Sequence, residues 1–156
     1  MLINVPSPTI DVLVLLATAP FEFHLTGSRF FGYEKPESDW DFFVDSDALH
    51  GVSGLINWLE HNGFYKESNR DYSGETTAIT QIWKHRIASV HIQVVEDAEL
   101  KASVQDTLNN DYKVRNQLRK LSKEGRKALW NAAYAGFIAG EEKAARSTLL
   151  DFERRA

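Results

Sequence analysis

Gly27-Ser28-Arg29-Phe30-Phe31-Gly32-Tyr33-Glu34-Lys35-Pro36-Glu37-Ser38-Asp39-Trp40-Asp41-Phe42-Phe43-Val44 is the stretch from which the fold is read. Its apolar end, Trp40 with Phe42, Phe43 and Val44, is bounded upstream by Pro36, Glu37 and Ser38. A short apolar run bounded this way reads as a buried strand. Side chains alternate across a strand, so Asp39 and Asp41 share one face. Two carboxylates on one rigid face make a poor core but a good seat for a divalent cation. Mg2+ takes hard oxygen ligands, commonly one or two carboxylates together with substrate phosphates. The plainer alternative is an edge strand whose polar side faces water.

The Gly-Ser end supplies a complementary half. His24, Leu25 and Thr26 continue a short strand expected from Phe21 onward, and Gly27 lets the backbone turn with no Cβ in the way. Successive N–H groups in such a turn can cup an anion, with the Ser28 hydroxyl as a further donor. Arg29 could add a charge-assisted bond to a phosphate oxygen, or could instead pair with Glu37 or Asp45. A phosphate cradle followed by a strand of metal ligands suggests phosphoryl or nucleotidyl transfer.

This spacing, Gly27-Ser28-Arg29, Gly32, Pro36 and then Ser38-Asp39-x-Asp41 before apolar residues, resembles the polymerase-β-type nucleotidyltransferase superfamily. The style is that of the minimal domains of bacteria, toxin–antitoxin systems and phages. The resemblance implies that Gly27 and Ser28 hold a nucleoside triphosphate and that Asp39 and Asp41 bind Mg2+ (or Mn2+). It also implies a third carboxylate on a later strand. The matching strand is Ser89 to Val95, in which His91 and Gln93 share one face and Val90, Ile92 and Val94 the other. No acid lies inside it, so the expected acidic position falls on His91 or Gln93. Neutral His91 could ligate a metal or act as a general base, and Gln93 could not serve as a base.

A chain of 156 residues with 43% hydrophobic and 26% charged residues is of ordinary globular composition and fits one domain with a real core. Cysteine is absent, which excludes disulfides and thiolate metal sites. The longest apolar run, Val12 to Ala17, falls far short of the ~20 residues of a membrane span. No secretory leader is recognised, since Asp11 interrupts the apolar start. A cytoplasmic protein without membrane association is therefore expected. Residues 1–100 hold 6 Lys+Arg against 15 Asp+Glu, whereas residues 101–156 hold 12 against 7. The acidic part suits cations, and the basic part could meet nucleotide or RNA phosphates or simply be a solvated helical surface.

Along the chain, Ser7-Pro8 predicts a helix start, with Ile10, Leu13, Val14 and Ala17 on one face. Pro20 ends that helix. Strands follow at 21–26 and 39–44. A helix over 48–61 is predicted from Leu49, Val52, Leu55, Ile56 and Leu59, with Asp45, Ser46 and Asp47 as caps and Gly63 as its stop. Phe64-Tyr65-Lys66 and Thr77 to Trp83 read as strands around a polar loop at 69–75, and Lys84 to Ala88 as a turn. Helices are predicted over 98–108, 112–121, 123–140 and 141–154, with Ser122 capping the third. The fold class is thus α+β, a small mixed or antiparallel sheet with helices packed on it, and the resemblance implies that the sheet is of the nucleotidyltransferase type. The expected division is a core at 1–97 and a helical extension at 98–156 packed on it as one domain.

Other side chains carry weaker signals. Lys84, His85 and Arg86 form a basic tip that could touch the triphosphate, as the nucleotide-binding set Gly27, Ser28, Arg29 and Lys84 would have it, or could be an exposed hairpin turn. Trp40 is expected in the core beneath the acids and His24 as a structural residue. Trp130 and Tyr134 could stack a base, yet at helical spacing they also suit a core. Two functions follow. One is a Mg2+-dependent transferase, with Asp39, Asp41 and His91 as its catalytic group, that moves a nucleotide to a hydroxyl of a protein, RNA or small molecule. The other is a non-catalytic relative of the same fold, nucleotide- or protein-binding, antitoxin-like or phage-encoded. DNA is not an expected partner, and self-association is left open.

Overall fold

A computed structural model describes residues 5–49, 54–68 and 79–155. The predicted polar loop at 69–75, the start of the strand predicted from Thr77, and Val52 of the predicted helical stripe lie outside the described residues. The chain forms two compact units, Met1–Lys120 and Leu121–Ala156.

Within the first unit the order is α1 (Ser7–Thr18), β1 (His24–Thr26), α2 (Gly27–Phe31), β2 (Trp40–Asp45), a 3-10 turn (Ser46–Leu49), α3 (Leu55–His61), β3 (Phe64–Lys66), β4 (Ile79–His85), β5 (Val90–Val95), α4 (Ala98–Asn109) and α5 (Tyr112–Lys120). Among the described residues five strands form one mixed sheet, ordered β1-β2-β5-β4-β3. β1 and β2 are antiparallel, β2 and β5 parallel, and β5-β4-β3 an antiparallel group. The protein is an α+β fold.

Period-two alternation makes two faces. Val44, Val90, Ile92, Val94 and Trp83 point to one side, where they bury Val12 and Leu16 of α1, Leu55 and Leu59 of α3, and Phe64. The other side buries Phe43 and Val95 under Ala98 of α4, with Ile79 and Ala102 against them. Full burial of a Phe, Leu or Ile side chain contributes about 1.5–3 kcal/mol, so each face has its own source of cohesion. The carboxylates and His91 therefore project from the α4 side of the sheet, beyond the part that α4 covers.

Asp45 fixes the end of β2. Its Oδ1 accepts from the Asp47 N–H at 2.9 Å and its Oδ2 from the Ala98 N–H at 2.9 Å, so one side chain caps the 3-10 turn and the start of α4.

Several elements differ from the sequence-based expectation. β1 begins at His24, because Phe21 and Phe23 leave the strand to pack edge-on or tilted against Trp58. The helix expected over 48–61 is a 3-10 turn to Leu49 and a separate α3 from Leu55, opened by Gly54 at φ 66°. Ile56, expected to be buried, is exposed. β4 runs on to His85, so Lys84 and His85 belong to a strand and the turn occupies 86–89. His85 organises that turn: its Nδ1 accepts from the Ile87 and Ala88 N–H groups, and its Nε2 lies 3.0 Å from the Asn62 carbonyl.

In the second unit one continuous helix, α6, spans Lys123–Arg155, roughly 50 Å at 1.5 Å per residue, where two segments were expected. The charge change at Glu141-Glu142 carries no proline, and Ala144 and Ala145 favour helix on its far side. As expected, the Ser122 hydroxyl caps it, accepting from the Gly125 N–H at 3.1 Å.

Candidate functional site

The site is built on the pairing of β1 with β2. Thr26 stands opposite Asp41 in the ladder, so the residue after Thr26 meets the Asp41 side chain. That residue is Gly27, at φ +71°, which opens the short helix α2 rather than a free turn. A Cβ there would lie 2.7 Å from Asp41 Oδ2. Glycine is required twice at this position, for its backbone angle and for the carboxylate pressed against it. The glycine bend and the strand that carries Asp41 thus lie side by side.

β5 brings the third member. Asp41 is the parallel partner of His91, and Lys84 of β4 stands opposite His91 in turn. A single row, Thr26, Asp41, His91, Lys84 and Tyr65, crosses the sheet with one residue from each strand. His91 Nδ1 is 3.4 Å from Asp41 Oδ1 and 3.8 Å from Asp39 Oδ2. Asp41 and His91 are about one-third exposed, at 30% and 29%, and Asp39, just before the strand, is 47% exposed. The alternative position, Gln93, pairs with Phe43 and accepts a hydrogen bond from Lys101 Nζ at 2.7 Å. The residue beside the acids is His91.

Arg29 has a different occupation from either partner considered from the sequence. Its guanidinium donates to the Ser38 carbonyl through Nη2 at 2.9 Å and Nε at 3.2 Å, and to the Pro36 carbonyl at 3.3 Å. It also lies 4.3 Å over the Trp40 ring, which packs partly against the core. Arg29 therefore clasps the residue directly before Asp39 and sets where that carboxylate leaves the chain. Lys84, roughly 10 Å from Asp41 by two strand spacings, is held 3.1 Å from Glu67 Oε1. Arg86 sits 5.3 Å from the centre of the Tyr65 ring. Ser28 follows Gly27 in α2, and its carbonyl accepts from the Gly32 and Tyr33 N–H groups. His24 stacks on Phe43 at 4.8 Å, as a structural residue would.

Two residues escaped sequence reasoning. Lys101 is only 5% exposed and lies 4.9 Å from the Phe43 ring centre, and Gln105 donates to the Leu25 carbonyl at 2.8 Å. Gln105 Oε1 is buried without a hydrogen-bond partner among the described residues. The available signal was their helical spacing: Lys101 and Gln105 share the face of α4 that carries Ala98 and Val104.

Whether these groups suit a divalent cation rests on the donor set and the cradle at Gly27. Two carboxylates and an imidazole supply three ligand atoms of suitable type, and the missing Cβ lets the Asp41 carboxylate lie against the Gly27 bend. Among the described residues no group of three or more His, Cys, Asp or Glu side chains is placed to hold a metal ion, so these three would have to move to share one. Among them also, no helix is long and apolar enough to cross a membrane. No protein-family model matches the chain, and no curated protein or solved structure shows significant similarity to it.

Proposed function

We propose that the protein is a divalent-cation-dependent nucleotidyltransferase acting in the cytoplasm, with a nucleoside triphosphate as donor and a hydroxyl of a protein, RNA or small molecule as acceptor. The observation that carries this reading is the packing of Gly27 on the Asp41 carboxylate, with a Cβ position 2.7 Å from Asp41 Oδ2. It sets a bend able to receive phosphates beside a carboxylate able to hold their counter-ion.

In this reading Asp39 and Asp41 hold Mg2+ or Mn2+, and Gly27 and Ser28 receive the triphosphate. A bound cation supplies neutralisation of the phosphate charge and a template for in-line attack. The acceptor oxygen forms a bond to the α-phosphorus while the bond from that phosphorus to the bridging oxygen breaks, and pyrophosphate leaves. The acceptor proton passes to solvent or to a neighbouring base. Arg29, clasped to Ser38, acts as a positioning residue for Asp39 rather than as a phosphate ligand. Four basic side chains of α5 and none acidic extend the reading toward an RNA or other anionic acceptor, since Arg119 Nη2 lies 3.7 Å from the Cβ position of Gly32, at the end of α2.

The test is incubation with each of the four nucleoside triphosphates, labelled at the α-phosphorus, with cell extract and Mg2+ or Mn2+. Labelled product with wild type, absent with Asp39→Ala and Asp41→Ala, is expected. Indistinguishable results for the three proteins would overturn the reading. A second reading, a non-catalytic nucleotide- or protein-binding relative, is favoured by one observation: an imidazole faces both carboxylates where the resemblance implies a third acid. Calorimetry separates the two, because the transferase requires metal-dependent triphosphate binding.

A further inference from the structure

We propose that His91 is itself a ligand of the cation, and that its nitrogen turns the site's preference from Mg2+ toward first-row transition cations. This rests on the nucleotidyl-transfer reading of the same site and goes beyond it by giving His91 a role and the site a metal selectivity.

Three features of the structure support it. The sheet register puts His91 directly beside Asp41, while the other candidate, Gln93, is engaged by Lys101. His91 is therefore held by two neighbouring strands on the carboxylate face. Its Nδ1 also stands 3.4 Å and 3.8 Å from carboxylate oxygens of the two aspartates. Both separations exceed the 2.7–3.2 Å of an N–H···O hydrogen bond. With metal–ligand bonds of about 2.1 Å, neighbouring octahedral ligands lie about 3.0 Å apart and opposite ones about 4.2 Å. The observed separations fall between those limits, and side-chain rotations are needed before the three atoms share one cation. Asp39, at the end of a loop and half exposed, has room to make the larger one. Gly27 also lets the Asp41 carboxylate lie against the backbone bend, where a Cβ would stand 2.7 Å from Oδ2.

The chemical consequence follows from ligand type. An all-oxygen site suits Mg2+, Ca2+ and Mn2+, whereas imidazole suits transition cations and adds little for Mg2+. As a ligand, Nδ1 offers its lone pair and the ring proton sits on Nε2. Nδ1 is then not available to accept the proton of an attacking hydroxyl.

The probes are Mn2+, alone and with inorganic tripolyphosphate, read by electron spin-echo modulation, and Zn2+ in competition with Mg2+. Wild type is expected to show nitrogen modulation that disappears in His91→Asp and in His91→Ala. In His91→Asp, which restores an all-oxygen set, the ratio of Zn2+ to Mg2+ affinity is expected to fall at least about tenfold, the lower end of what even an outer-shell partner is worth. Should the variants fail to fold, a change of modulation frequency in wild type carrying 15N-histidine gives the same answer. Mn2+ bound without a nitrogen signal, or the same preference for Zn2+ over Mg2+ in His91→Asp as in wild type, would overturn the inference and leave the carboxylate site standing. No cation bound by wild type, even with tripolyphosphate, would remove the nucleotidyl-transfer reading and this inference with it.

Discussion

Replacing Gly27 by alanine tests the site at its tightest contact. Two costs add there. An L-residue in the left-handed region, which Gly27 occupies at φ +71°, costs about 1–2 kcal/mol. The new methyl would also stand 2.7 Å from Asp41 Oδ2 and 3.4 Å from Asp41 Cβ, so the carboxylate must swing away. Such overpacking costs about 1–3 kcal/mol. Gly32→Ala is the natural control, because Gly32 has φ +80° but among the described residues its Cβ position meets only Arg119 Nη2, at 3.7 Å. The control carries the backbone cost alone. The difference between the two variants therefore isolates the carboxylate contact. In urea, with a slope of about 2 kcal/mol/M, the extra 1–3 kcal/mol becomes a midpoint about 0.5–1.5 M lower for Gly27→Ala. Mn2+ affinity is expected to fall at least about tenfold in Gly27→Ala and to stay unchanged in Gly32→Ala. Equal midpoints, with wild-type Mn2+ affinity in Gly27→Ala, would refute the view that this glycine shapes the cation seat.

Arg29→Met removes three donated hydrogen bonds to the carbonyls before Asp39. A destabilisation of about 1.5–3 kcal/mol and weaker Mn2+ binding are expected, and unchanged thermal unfolding would speak against the clasp. Lys101→Met leaves the Gln93 side-chain oxygen without its 2.7 Å donor beneath α4 and should cost about 1–3 kcal/mol in denaturant titrations. The double variant Lys101→Met/Gln93→Leu should recover part of that loss, and strict additivity of the two single effects would show that the pair is not coupled.

The two-residue spacing of Asp39 and Asp41 and the glycine upstream were legible because each is a local pattern: one follows from strand alternation, the other from backbone freedom. The alternation of Val90 to Val95 likewise gave the correct faces of β5. Legibility ended where a partner is distant or anonymous. Arg29 is held by carbonyls, which every residue possesses, so Pro36 and Ser38 carried no mark as its partners. The choice between His91 and Gln93 depended on inter-strand register, which a single strand's sequence does not encode. Phe21 and Phe23 look like strand residues until Trp58, far along the chain, draws them into an aromatic cluster. Lys101 reads as a surface lysine on a helix, and only the packing of α4 on the sheet turns it inward.

Asp45 gives β2 an anchor at the end remote from Asp41. Because that one side chain grips both the turn after β2 and the first residue of α4, the strand cannot slide without pulling the helix along. Asp41 stands four residues upstream, roughly 13 Å away along a stiff lever. The position of its carboxylate is therefore set in part by a joint at the far end of the strand.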